Sequence, residues 1–234
     1  MGNGNYIYLL FTRSDTLMSR AVYWFTRDKY THVSISTDES LSDFYSFGRR
    51  VPCRMLPAGF TKESLNAGLY RMNGARPCRL VRIEAKQSEV ERIRTILDFF
   101  YRYRFQYKYS ILGTIFCRLG IRYQRIQHRF CSQFVSELLQ ECSIMREDRE
   151  PSLIRPSQLA REPYADTLFE GDIEGLRRWI EKAPRSTNLI MLKDYRKNPE
   201  TSAVLTLVRK KIKKQKNVKK RGKTAPDTQF FLFF

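Results

Sequence analysis

The stretch FCSQFVSELLQEC, residues 130–142, decides how this chain is read. It holds no glycine or proline, and Cys131, Val135, Leu138 and Cys142 fall at offsets 0, 4, 7 and 11, a single helical face. The spacing predicts an amphipathic helix with Cys131 in its first turn. A helix N-terminus carries partial positive charge and free amide donors, which favour a thiolate and can steady an oxyanion. The same cysteine on an apolar stripe is, in most proteins, plain core filling.

A nucleophilic cysteine needs a base, and the chain has two histidines. His32 lies in THVSIST (31–37), an alternating, β-branched run that predicts a strand. His128 lies three residues before Cys131, and His128 with Cys131 would be half of a metal site, but no second pair of ligands follows. His128 is therefore read as a loop or helix-entry residue. A lone histidine in a strand is usually a hydrogen-bonded structural group, and spacing alone does not separate that reading of His32 from a catalytic one. Tyr107 and Tyr109 suit either a cleft lining or an aromatic core.

Outward from these motifs, YIYLLFT (6–12) predicts a buried strand. Ser14 or Asp15 would cap a helix running to Phe25. DFYSF (43–47) predicts a strand returning beside 31–37 in a hairpin. Residues 49–78, rich in Gly, Pro and Arg, read as a long surface excursion. RLVRIEA (79–85) is another strand, and Ser88 with Glu91 forms a capping box ahead of the helix VERIRTILDFFYRYRF. Residues 105–128 are aromatic and basic with a loose pattern, and a short helical piece follows Pro156. No internal repeat is evident, and residues 169–195 give a mixed signal. The elements together read as α+β, an antiparallel sheet packed against helices, with residues 1–195 as one domain and 196–234 as a basic tail.

Three motifs carry a resemblance: Thr26 to Ile35 (TRDKYTHVSI), FYSFGR (44–49) and FCSQFVSELL (130–139). Together they resemble the circularly permuted papain-like cysteine hydrolases, the relatives of NlpC-type peptidases and lecithin retinol acyltransferase. The likeness extends over about residues 5–170, with the cysteine motif its most specific part, and bacterial members with a YSFGR strand and an FCSQFV helix are the nearest in wording. It implies the permuted papain-like (NlpC-type) fold, in which a strand-borne His precedes the helix-opening Cys. The order His32 then Cys131 matches. By the same resemblance a polar residue on the strand after the histidine orients the imidazole. That position falls on Tyr45 or Ser46, of which Ser46 aligns best. Relatives often place a glutamate there, and serine would orient the ring less firmly. The expected activity is a thiol hydrolase or acyltransferase acting on an amide or ester of a peptide, small molecule or lipid acyl chain, with no cofactor or metal.

The charge opens a second reading. The chain carries +19, of which residues 209–234 hold ten Lys or Arg against Asp227, net +9. A catalytically silent module of the same fold could dock through this cationic surface. The terminal FFLFF adds apolar anchors that nucleic acid would not need, so an anionic membrane surface is the expected partner of 209–234 ahead of nucleic acid. Five scattered cysteines with no CxxC pair fit a reducing compartment. No secretory signal or membrane-spanning run is legible, which makes a cytoplasmic protein, peripheral at a membrane, the expectation.

Overall fold

A computed structural model describes residues 5–13, 28–51, 56–72, 74–146 and 148–182. The expected helix from Ser14 or Asp15 to Phe25 and the tail 196–234 lie outside the described residues. Within them the chain is α+β. Its strands are β1 (Asn5–Thr12), β2 (His32–Ser36), β3 (Phe44–Arg49), β4 (Ala58–Glu63), β5 (Pro77–Ala85), β6 (Lys108–Tyr109), β7 (His128–Arg129) and β8 (Asp166–Asp172). The helices are α1 (Gly68–Met72), α2 (Gln87–Arg102), α3 (Ile111–Arg118), α4 (Cys131–Glu141), α5 (Pro156–Leu159) and α6 (Ile173–Lys182).

All eight strands join one sheet in the order β7-β6-β4-β3-β2-β1-β5-β8. The pairs from β6 through β8 are antiparallel, but β6 and β7 run parallel, so the sheet is mixed at one edge. Parallel pairing there follows from connectivity. A hairpin cannot join parallel strands, and α3 with its return loop supplies the crossover.

Strand β1 is apolar on both faces because it lies inside the sheet between β2 and β5, and Ile7 through Phe11 are all buried. The expected excursion over 49–78 is corrected: it contains β4, paired along its full length with β3 (Phe44↔Glu63 to Arg49↔Ala58), and the short helix α1. Gly59 permits the next pairing. A Cβ there would stand 2.2 Å from the Tyr107 carbonyl oxygen, so only glycine lets β6 approach β4. The capping box also moves by two residues. Lys86 is the N-cap of α2, and its amide donates to the Glu89 carboxylate at 2.8 Å.

Helix α4 packs on β2 and β3, and every residue from Cys131 to Gln140 is buried. Its anchor is Phe134, whose ring lies 5.3 Å from Phe47, 5.4 Å from Phe60 and 5.1 Å from Phe100. These rings come from β3, β4 and α2, so one residue, three positions after Cys131, ties the helix start to both layers. Buried Glu137 needs a partner and has two: Arg129 Nε donates to it at 2.5 Å and Gln133 Nε2 at 2.9 Å. Those bonds lock β7, immediately upstream of Phe130 and Cys131, onto the helix.

Candidate active site

Cys131 is the first residue of α4, preceded by Phe130 in an extended N-cap conformation (φ −111°, ψ 169°). Phe130 has no polar side-chain atom, so no N-cap side chain competes for the first-turn amides. His32 opens β2, held between β1 (Thr12↔His32) and β3. The Cys131 side chain stands close enough to the His32 ring to favour its protonated form. The structure thus brings together the two residues singled out from the sequence.

The third member is different from the one expected. Ser46 is fully buried, and its hydroxyl donates to the Val33 carbonyl oxygen at 2.6 Å, a bond that ties β3 to β2 and leaves no donor for the imidazole. Tyr45, on the other face, stacks on Phe60 with centroids 6.1 Å apart. The group on the imidazole is Glu63, at the end of β4: His32 Nε2 lies 3.0 Å from Oε1 and 3.1 Å from Oε2. With Nε2 on the carboxylate, Nδ1 is the nitrogen left for the thiol. Glu63 is in turn fixed by Tyr70 of α1, whose Oη donates to Oε2 at 2.8 Å.

Gly48, the glycine of the FYSFGR motif, makes room for this pair. A Cβ on it would stand 3.1 Å from Glu63 Oε1 and 3.6 Å from His32 Cε1. Glu63 carries one sequence signal: it is the sole acid between Asp43 and Glu84. Its strand was hidden by the Gly, Pro and Arg content around it.

The His32 and Glu63 side chains are only 15% and 13% exposed. Burial, the largest influence on His32, favours the neutral ring. The Glu63 charge, the nearness of Cys131 and the hydrogen bond with Glu63 outweigh it, so the imidazolium persists to well above the usual 6.5. Burial likewise pushes Glu63 towards protonation, and the His32 charge with the bonds from His32 and Tyr70 holds the carboxyl below its usual 4.5. Burial and then the Glu63 charge keep the Tyr70 phenol protonated to well above 10.0, so it remains a donor.

The surrounding residues sort themselves plainly. Tyr107 is core, its ring 4.5 Å from Phe100. Tyr109 borders Cys131: burial, then the Cys131 charge, raises its phenol, and Thr114 Oγ1 donates to its Oη at 3.2 Å. His128 sits in β7 with Nδ1 2.9 Å from the Ile126 carbonyl oxygen. Burial pushes the thiols of the other cysteines of the described residues up, Cys78 and Cys142 to about 12 and Cys117 to about 11.

No family model, curated protein or solved structure matches this chain. Among the described residues no helix is long and apolar enough to cross a membrane.

Proposed function

We propose that this chain is a thiol hydrolase or acyltransferase of the permuted papain-like kind, acting on an amide or ester bond. The observation that carries the reading is the chain of contacts from Glu63 through His32 to Cys131, joining β4, β2 and the start of α4. In this reading the Cys131 proton has already passed to His32 before attack, the thiolate adds to the substrate carbonyl, and the imidazolium gives its proton to the leaving amine or alcohol. Glu63 fixes which ring nitrogen faces the sulfur and stabilises the imidazolium that forms. The amides of the α4 first turn are the natural donors for the oxyanion. Water, or a second alcohol or amine, then releases the acyl group from sulfur. A carboxylate on the imidazole supports this reading over a silent binding module of the same fold, which a serine at that place would have favoured.

The reading is tested by incubating the full chain with p-nitrophenyl acetate and locating the acetyl group by peptide mass spectrometry. The acetyl thioester is expected on Cys131, absent in Cys131→Ala and formed at least about a hundredfold more slowly in His32→Gln. Acetylation spread over the other thiols, or unaffected by His32→Gln, would refute it.

A further inference from the structure

The face of α3 turned away from the nucleophile is unlike the rest of the surface. Nine large apolar side chains are exposed among the described residues, and six of them fall between Phe105 and Ile126. Leu112, Ile115 and Leu119 stand at helical spacing on one side of α3, 51%, 43% and 64% exposed. Ile126, at 70%, lies in the return loop. The loop is brought back beside the entry to the helix, because Lys108 pairs with His128 in β6–β7 and the Lys108 amide donates to the Gln127 carbonyl oxygen at 2.8 Å. These residues therefore gather at one edge of the sheet.

Between Phe105 and Ile126 there are four Lys or Arg and no Asp or Glu. Lys108, Arg122 and Arg125 are exposed, and Arg122 pairs with Glu150 at 2.9 Å. Arg118 instead turns inward to Asp28 at 4.0 Å. Protruding aliphatic side chains rimmed by cations, on a helix with no acid, have the charge pattern of a surface that lies on anionic lipid. Five of the six are aliphatic and ill suited to nucleic acid, whose bases stack on aromatic faces. The sixth, Phe105, already has the Arg50 and Arg104 guanidinium groups 5.4 and 4.5 Å from its ring. A monomer rarely leaves such a patch uncovered unless it is used.

We propose that the α3 face, from Phe105 to Ile126, docks the folded body of the protein on an anionic membrane surface. This surface is distinct from residues 209–234. Its inner side backs onto the nucleophile's element: a Cβ on Gly113 would stand 3.2 Å from the Phe130 ring, and Phe130 caps α4. Docking would therefore hold Cys131 one helix away from the headgroups.

The test uses the full chain and vesicles of phosphatidylcholine with about a third phosphatidylserine, against pure phosphatidylcholine. Leu119→Glu/Ile126→Glu is compared with Gln87→Glu/Ser88→Glu, which adds the same charge at the start of α2, about 22 Å along the helix from its other end. Wild type and the α2 variant should sediment with the anionic vesicles, weakening but not vanishing as salt rises. The α3 variant should bind at least about tenfold more weakly while keeping the wild-type circular dichroism. Should it misfold, Leu119→Ser/Ile126→Ser replaces it, with the same loss expected. Equal binding by the α3 and α2 variants would overturn the proposal. So would wild-type binding to an oligonucleotide and not to vesicles, or self-association that the α3 variant abolishes.

Discussion

A carboxylate buried against an imidazole governs when that ring carries a proton, and Glu63 does this for His32. Neutralising it removes the largest influence that favours the charged ring. Glu63→Gln is therefore expected to lower the His32 titration from its place well above 6.5, read from the imidazole Cε1 proton by NMR. The chain has only two histidines, so a His128→Gln variant assigns the His32 signal directly. Stability follows the same logic. A raised histidine contributes fully below its unfolded value of about 6.5 and loses that contribution as pH climbs through the raised value. A lowered glutamate contributes fully above about 4.5 and loses it as pH falls through the lowered value. The pair is complete between these limits, so the melting-temperature gap between wild type and Glu63→Gln should be wider near pH 5.5 than near pH 9.5. Cys131 and His32 were legible in the sequence because each sits in a run with a clear period. Glu63 was not, since its pairing with His32 spans 31 residues and no local pattern encodes it.

At the scale of elements, α4 was readable because its pattern is internal to the helix. Its position was not, because that depends on rings from β3, β4 and α2 meeting at Phe134. Phe134→Ala should cost about 3–5 kcal/mol of stability in denaturant unfolding. A second expected effect is a displaced helix start, seen as slower acetylation of Cys131 in molecules that remain folded. The miss over 49–78 has an equally physical origin. Strand β4 is six residues long, opens at Ala58 after Pro57 and contains Gly59, all marks of a loop, yet full-length pairing with β3 overrides them. The glycine that weakens the local strand signal is the one that lets β6 come close.

For the whole molecule, the expectation of an α+β chain holds, while the parallel β6–β7 edge departs from a purely antiparallel sheet. That edge was illegible because each strand is two residues long, too short for any period. All four cysteines of the described residues are buried, and of these Cys131 opens a helix beside His32. Iodoacetamide at about pH 7 should alkylate Cys131 at least about tenfold faster than Cys78, Cys117 or Cys142 in the native chain. In denaturant the four rates should converge, as followed by peptide mass spectrometry, because burial and the His32 contact vanish together. Comparable native rates at all four would place Cys131 among the structural thiols.

Strands β2 and β4 are not sheet neighbours; β3 runs between them, and α4 closes over β2 and β3 from a later part of the chain. His32 and Glu63 are made before Cys131 emerges from the ribosome, but they meet only across a finished sheet. A nascent or misfolded copy thus lacks the approach of Cys131 to His32, which exists solely in molecules that have completed assembly. The meeting of Cys131 with His32 is in that sense a certificate of folding.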